Sequence, residues 1–147
     1  MSEPPPRILI VDDDVAVAKS LATMLEAAGA YETRLVHRAA EAVTAAVEHA
    51  PAIVFLDIEL PDMSGYDVAK LLRQHANLQT IRLIALTDSI EHPGREGARA
   101  AGFERYLVKP VTAIELQKVL RRSVNIGAGL SVVAGKGVRE TIYKGLP

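Results

Sequence analysis

The sequence contains no cysteine and no tryptophan among its 147 residues. The lack of cysteine excludes disulfides, thiolate metal sites and cysteine nucleophiles, and it is typical of a reducing compartment. Aromatic residues make up only 4% of the chain, which argues against a surface that stacks on nucleic-acid bases. We therefore expect a cytoplasmic protein that has no direct nucleic-acid partner.

Long apolar runs and an excess of charge of one sign are also missing. The formal net charge is −1, so the chain has no long-range attraction for nucleic acid or for an anionic membrane. No apolar run approaches the roughly 20 residues that a membrane-spanning helix needs. The first residues, MSEPPPR, have no apolar core of the kind found in a signal peptide. These absences predict one soluble domain without a membrane partner.

Short apolar runs alternate with helical patterns along the chain. Residues 8–11 and 53–56 are continuous, largely β-branched runs of the kind found in buried parallel strands. Three more strands are predicted at residues 32–36, 83–86 and 106–108. Helical periodicity covers residues 15–28, 39–48, the stretch after Gly65, a weak segment at 91–101 and a last helix that Thr112 can cap. The alternation predicts an α/β fold, a doubly wound parallel sheet of five strands.

The domain organisation follows the same pattern. Residues 1–6, which include Pro4 to Pro6, are predicted to form an extended N-terminal lead-in. The α/β pattern covers residues 7–124. Residues 125–147 form a Gly-rich tail, which we interpret as flexible, although a docking segment or a linker remnant fits the composition too.

Polar residues stand directly after four of the predicted strands. The carboxyl ends of parallel strands share one edge of a sheet, where ligands bind. The residues at that edge are Asp12, Asp13, Asp14, Asp57, Thr87 and Lys109. Taken singly, Asp14 is interpreted as a helix cap and Lys109 as a possible turn residue, but together they predict one site.

Clustered carboxylates need a positive charge, since neighbouring ionised groups repel one another. Mg²⁺ prefers oxygen ligands and retains waters, which leaves room for a phosphoryl oxygen. Lys109 adds a second positive charge and Thr87 a hydroxyl donor. The set suits formation of an acyl phosphate on a carboxylate.

The sequence resembles the response-regulator receiver (CheY-like) family in the segments ILIVDDD, IVFLDIELPDMSGYDV, LIALT and AGFERYLVKPV. The resemblance covers residues 7–124 and implies the flavodoxin-like strand order 2-1-3-4-5. It implies a phosphoacceptor signalling module rather than an enzyme, although the module assists its own phosphorylation and dephosphorylation. The partners implied are a sensor histidine kinase or histidine phosphotransfer protein, and an output protein.

The resemblance also implies a role for each matching residue. Asp57 is the phosphoacceptor, and Mg²⁺ is held by Asp12 through water, by Asp13 and Asp57, and by the backbone carbonyl of Glu59. Thr87 and Lys109 bind the phosphoryl group, and Tyr106 is an aromatic switch. The family also implies a cis Lys109-Pro110 peptide, and turn glycines at Gly65 and Gly102.

Asp88 departs from the family pattern, since the residue after the switch threonine is usually small. Its carboxylate could narrow access or repel the donor, or it could simply face solvent. Glu59, two residues past Asp57, stands at a position that tunes the phosphoryl lifetime in this family. We expect both residues to affect phosphoryl transfer.

The output face is predicted on helix 4 (residues 91–101), strand 5 and helix 5. Its basic residues are Arg95, Arg99, Arg105, Lys118, Arg121 and Arg122. They could select an acidic partner, or they could be solvated surface charges.

Two other functions are weighed. Residues 12–15 also fit the DxDxV motif of haloacid-dehalogenase-type phosphatases, with Asp12 as nucleophile, but Asp57 would then have no role. Alternatively, the chain is a degenerate receiver that only binds another protein, for which Asp88 is the one argument.

Overall fold

The computed structural model describes residues 5–29, 31–88 and 99–125, with side chains described up to Arg121. Five strands form one parallel sheet in the order β2-β1-β3-β4-β5. Their bounds are β1 Arg7–Val11, β2 Glu32–Val36, β3 Ile53–Asp57, β4 Arg82–Thr87 and β5 Phe103–Val108. The predicted fold class and strand order are confirmed.

Helices pack on both faces of this sheet. Their bounds are α1 Val15–Ala28, α2 Ala42–His49, α3 Gly65–Gln74 and the last helix, Ala113–Asn125. Short 3₁₀ turns at Ala39–Glu41 and Ala76–Leu78 precede α2 and β4. In the described ranges, no helix is long and apolar enough to cross a membrane.

Asp14 caps the start of α1 and Thr112 caps the start of the last helix, as predicted. Asp14 accepts the backbone N–H of Val17 at 3.1 Å. The Thr112 hydroxyl oxygen accepts the N–H of Glu115 at 3.2 Å, and the Glu115 carboxylate accepts the N–H of Thr112 at 3.1 Å. This reciprocal capping box satisfies donors that a helix start leaves unpaired, and it fixes where the chain turns away from the sheet edge.

The apolar side chains of the sheet divide between two cores. Ile8, Ile10 and Phe55 point to the face that α1 and the last helix cover, while Leu9 and Val54 point to the opposite face. All five side chains are fully buried. The central strands β1 and β3 are therefore apolar on both faces, as expected for parallel strands in a doubly wound sheet.

The structure adjusts several predicted boundaries. β5 is twice as long as predicted because it begins at Phe103, where the register with β4 shifts between Leu83 and Ile84. The predicted helix at residues 39–48 starts as a 3₁₀ turn and becomes α2 only at Ala42.

One prediction for the output face is wrong. Arg105 is buried, with only 3% of its surface exposed, because residues two apart on a strand share a face and Arg105 lies on the same face of β5 as the buried Leu107. Arg99 and Arg121 are exposed as predicted. Arg95, the side chain of Arg122, most of the segment at 91–101 and residues 126–147 lie outside the described residues.

Candidate functional site

The sheet register places the two central aspartates side by side. β1 and β3 are neighbours with Val11 opposite Leu56, so Asp12 and Asp57 follow on at the same edge. On the other side of β3, Asp57 lies opposite Leu86, and Thr87 lies opposite Val108 in β5. The backbone N–H of Lys109 donates to the Thr87 carbonyl at 2.7 Å. Residues from four strands thus meet at one edge, as the sequence predicts.

Asp12 and Asp57 are held in the same way, although they lie on different strands. Asp12 Oδ1 accepts the N–H of Asp14 at 2.9 Å, and Asp57 Oδ1 accepts the N–H of Glu59 at 2.8 Å. Each carboxylate therefore has one oxygen fixed by the backbone two residues further on. This side-chain-to-backbone turn occupies the Oδ1 atom and leaves the Oδ2 atom of each aspartate available to contact a positive charge.

Lys109 provides that charge from the end of β5. Its Nζ lies 2.8 Å from Asp12 Oδ2 and 3.2 Å from Asp57 Oδ2. The contact with Asp57 is a hydrogen bond, whereas the contact with Asp12 is an ion pair in which Asp12 Oδ2 accepts no directional hydrogen bond. Both aspartates are almost completely buried, so one ammonium group bridges two carboxylates in a poorly solvated position.

The surroundings change the acidity of Asp57. Burial raises the pKa of Asp57 to about 6, and the charge of Asp12 adds to the increase, while the Glu59 N–H and Lys109 oppose it. Burial alone lowers the pKa of Lys109, but Asp12 and Asp57 outweigh it and raise that pKa. Lys109 therefore stays positively charged, whereas Asp57 keeps its proton to a higher pH than an ordinary aspartate does.

The donor set fits a hard divalent cation. Carboxylate oxygens of Asp12, Asp13 and Asp57 lie within 4.8 Å of one another. Asp13 is exposed, whereas the buried Asp12 Oδ2 atom contacts the Lys109 ammonium group at 2.8 Å. Three carboxylates with one lysine leave an excess of negative charge that Mg²⁺, with its preference for oxygen ligands and retained waters, would balance.

The other predicted site residues take distinct positions. Thr87 is fully buried at the end of β4. Tyr106 is partly buried and packs against the core beneath α2 and α3. Glu59 and Asp88 are exposed. The Lys109-Pro110 peptide is cis, as the resemblance implies.

A cavity of about 610 Å³ opens above Asp57. Its charged end is formed by Asp13, Asp14, Asp57, Glu59, Asp88 and Lys109. Its other end extends along α1 and past β5, where it is lined mainly by Ala16, Val17, Leu21, Met24, Pro110 and Val111. The site is therefore open to solvent and larger than a phosphoryl group needs.

Sequence reasoning missed two side chains that support the site. Asp62, in the loop after β3, accepts the N–H groups of Ala39 and Ala40, each at 3.1 Å. His37 Nδ1 lies 2.9 Å from the carbonyl oxygen of Asp12 and donates to it. Neither contact has a local sequence signal, because the partners lie more than 20 residues apart.

Comparison with known proteins identifies the class that this fold and site define. Residues 8–121 match the family described as response regulator receiver domain. The chain belongs to this family. Of the two alternatives weighed from the sequence, membership argues against a haloacid-dehalogenase-type phosphatase and leaves open a degenerate receiver.

Among known relatives, the chain is 35% identical over 108 residues to the polar-differentiation response regulator DivK of Brucella anthropi, which covers 74% of this chain and 87% of DivK. It is 36% identical over 111 residues to the DNA-binding response regulator MtrA of Mycolicibacterium paratuberculosis. That match covers 75% of this chain but 47% of MtrA, so the chain spans about half of that protein's length.

A solved structure with the same fold is the receiver domain of a sensor histidine kinase from Pseudomonas aeruginosa, which has a magnesium ion coordinated in its active-site cleft. It superposes with a TM-score of 0.73 at 30% identity, and the match covers 81% of this chain and 97% of that domain. Phosphorylation and Mg²⁺ are typical of the family, in which receiver domains act as signalling modules.

Proposed function

We propose that this chain accepts a phosphoryl group on Asp57 in the presence of Mg²⁺ and passes the signal on by a change of conformation. The donor is the phosphohistidine of a sensor histidine kinase or of a histidine phosphotransfer protein. The observation that carries the proposal is the paired arrangement of Asp12 and Asp57. In each aspartate, a backbone N–H holds the Oδ1 atom, and the Oδ2 atom contacts Lys109 beside an open cavity.

In the transfer step, a carboxylate oxygen of Asp57 attacks the phosphorus atom. An O–P bond forms, the P–N bond breaks, and the imidazole of the donor leaves and takes up a proton from water. Lys109 then pairs with the new phosphoryl oxygens, and the Thr87 hydroxyl donates to one of them. Lys109 and Thr87 thus stabilise the negative charge that the phosphoryl oxygens bring to the site.

Mg²⁺ would be held by Asp13 and Asp57, by the backbone carbonyl of Glu59, and through water by Asp12. When bound, the ion neutralises the phosphoryl oxygens and keeps Asp57 ionised. Three carboxylates lie within 4.8 Å of one another with Lys109 as their positively charged partner. This excess of negative charge and the raised pKa of Asp57 support a cation at this point.

The output step uses the elements beside the site. Phosphorylation replaces the single negative charge of the Asp57 carboxylate with about two negative charges on the phosphoryl group, next to Thr87. Tyr106 lies on β5 and packs against the core, where it would respond to a displacement of Thr87. As the surface for the output protein we propose β5, the last helix and the segment at 91–101, most of which lies outside the described residues.

Acyl-phosphate trapping tests the proposal. The protein is incubated with Mg²⁺ and phosphoramidate, and the labelled residue is located by mass spectrometry after borohydride reduction. Label on Asp57 that is lost in Asp57→Asn supports the proposal. Label that persists in Asp57→Asn and disappears in Asp12→Asn would contradict it. A chain that neither takes up label nor binds beryllium fluoride with Mg²⁺ would be a degenerate receiver.

A further inference from the structure

The imidazole of His37 contacts the main chain of Asp12. His37 directly follows β2, and its Nδ1 atom lies 2.9 Å from the Asp12 carbonyl oxygen. A carbonyl oxygen can only accept a hydrogen bond, so Nδ1 carries the proton. The Asp12 N–H in turn donates to the Val36 carbonyl at 3.0 Å. Two successive residues at the end of β2 therefore hold both backbone polar groups of Asp12.

The hydrogen bond from His37 fixes the peptide group that joins two acidic residues of the site. The Asp12 carbonyl and the Asp13 N–H belong to one planar peptide unit, so a rotation of that unit would move both residues. The Asp12 side chain cannot compensate freely, because it is fully buried and both of its oxygens contact other groups. The His37 ring therefore fixes where the carboxylates of Asp12 and Asp13 lie relative to Asp57.

The connection between β2 and α2, residues 37–41, is anchored on a second loop as well. The N–H groups of Ala39 and Ala40 donate to the Asp62 carboxylate, each at 3.1 Å. Asp62 lies in the loop that follows Asp57. The same short connection thus contacts the loop after β1 and the loop after β3, and these two loops carry the carboxylates of the site.

Mg²⁺ is sensitive to the positions of its ligands. The ion requires nearly octahedral oxygen ligands at about 2.0–2.1 Å, and the candidate carboxylate oxygens lie within 4.8 Å of one another. Loss of a group that orients a metal ligand typically weakens metal binding by about 10-fold to 100-fold. His37 acts on the main chain rather than on a ligand atom, so we expect an effect at or below the lower end of that range.

We propose that His37 is a positioning residue for the Mg²⁺ site, acting through the peptide group between Asp12 and Asp13. This inference rests on the Mg²⁺ site of the proposed function. His37 does not line the cavity above Asp57, so it contacts neither the ion nor the phosphoryl group. Loss of its ring N–H should weaken Mg²⁺ binding although every ligand and the phosphoacceptor are still present.

Two substitutions at position 37 separate the hydrogen bond from the volume of the side chain. The amide nitrogen of asparagine is the same number of bonds from Cα as imidazole Nδ1, and leucine has a methyl group there. His37→Asn can therefore keep the bond to Asp12, whereas His37→Leu removes it. His49→Leu is the control, because His49 Nε2 lies 3.2 Å from the carbonyl oxygen of Glu32 at the opposite end of β2.

Calorimetric titration with magnesium chloride measures metal binding without a phosphoryl donor. We expect His37→Leu to bind Mg²⁺ about threefold to tenfold more weakly than the wild type, and His37→Asn and His49→Leu to stay within about twofold of it. With phosphoramidate as donor, the Mg²⁺ concentration that gives half the maximal rate should rise in His37→Leu by the same factor. The rate at saturating Mg²⁺ should stay near the wild-type rate, whereas a purely structural defect would lower it.

Hydrogen exchange in EDTA tests the contact without metal. The Asp12 N–H donates to the Val36 carbonyl, and the Asp14 N–H donates to Asp12 Oδ1. Both amides should exchange faster in His37→Leu than in His37→Asn or the wild type, since the main chain at Asp12 is held less firmly. His37→Ala also lacks the donor and takes the place of His37→Leu if leucine prevents folding.

The outcomes distinguish this inference from the proposed function. Equal Mg²⁺ affinity in wild type and His37→Leu would overturn the positioning role while phosphorylation of Asp57 stands, and so would an equal loss in His37→Asn or His49→Leu. Weaker Mg²⁺ binding confined to His37→Leu, in a protein that takes up no label on Asp57, would overturn the phosphoacceptor role alone. A wild type that binds no Mg²⁺ would overturn both.

Discussion

The backbone of Gly65 lies directly against the carbonyl group of Asp57. A Cβ atom at position 65 would overlap the Asp57 carbonyl oxygen and stand 3.0 Å from its carbonyl carbon. The Gly65 N–H also donates to the Ile58 carbonyl at 3.1 Å. The first residue of α3 is therefore in contact with the main chain that carries the proposed phosphoacceptor.

This contact predicts that Gly65→Ala is damaging, because neither backbone can move without disturbing β3 or α3. We expect a loss of about 1–3 kcal/mol in the free energy of unfolding, together with slower phosphorylation of Asp57. Urea unfolding and trapping assays measure the two effects. Gly29→Ala is the matched control, since the atoms nearest to its new Cβ belong to the Tyr31 ring, 2.9 Å away, which can rotate. Equal losses in both variants would contradict the prediction.

A second prediction concerns the loop after β3. Asp62 accepts two N–H groups at the 3₁₀ turn before α2, and the Ala39 N–H is the main cause of its lowered pKa. Because folding lowers the pKa of Asp62, its ionised carboxylate stabilises the fold at pH values above the ordinary pKa of 3.8. This stabilisation is lost as the pH falls through the pKa that Asp62 has in the folded protein. Asp62→Ala should therefore lower Tm at neutral pH, with a smaller difference in acid.

Hydrogen exchange can locate the effect of Asp62→Ala. The amides of Ala39 and Ala40 should exchange faster, since they lose their acceptor. The amides of α1 should keep their wild-type rates. Unchanged exchange at Ala39 and Ala40 would show that Asp62 does not hold this turn in solution.

A third prediction follows from the raised pKa of Asp57. Without metal, the folded protein keeps a proton on Asp57 that the unfolded chain releases between pH 3.8 and about 6. The stabilisation that this proton provides is fully present below the unfolded-state pKa of 3.8, and it is lost as the pH rises through the folded-state pKa of about 6. Asp57→Asn carries no ionisable group here, so in EDTA it should be more stable than the wild type above about pH 7.

The expected gain is about 1–2 kcal/mol after allowance for solvent screening, and it should vanish near about pH 4. Urea unfolding at several pH values measures it. Added Mg²⁺ should stabilise the wild type more than the variant, because the ion binds only the folded site. A variant that is less stable than the wild type in EDTA at every pH would contradict the prediction.

The fourth prediction concerns Arg73 on α3. Its guanidinium donates to the carbonyl oxygens of Gln79, Ile81 and Gly102, at 3.0, 2.7 and 2.8 Å. A lysine keeps the charge but cannot reproduce this planar set of donors. We expect Arg73→Lys to cost about 2–4 kcal/mol in unfolding free energy.

Urea denaturation measures that cost, and Arg121→Lys serves as the control because Arg121 is exposed on the last helix. The phosphorylation rate at a temperature where both variants are folded should stay near the wild-type rate, since Arg73 lies away from the cavity. A loss below about 0.5 kcal/mol, the usual size of a surface substitution, would show that Arg73 does not tie these segments together.

Much of the fold could be predicted because its signals are local. The continuous apolar run before Asp12 and the one before Asp57 predict central strands, since a parallel sheet buries both faces of such strands. The caps at Asp14 and Thr112 are also local, because donor and acceptor lie three residues apart. The start of β5 at Phe103 was missed, because the register shift against β4 depends on pairing rather than on sequence pattern.

The order of residues along the chain places particular polar groups at the carboxyl ends of the strands, and it therefore limits which side chains can form a site with Asp57. How these side chains meet depends on the folded arrangement. The pairing of Lys109 with Asp12 and Asp57, the burial of Arg105 and the link from Asp62 to Ala39 join residues far apart in the chain. Such contacts depend on strand order, register and loop path together, and no short stretch of sequence records that combination.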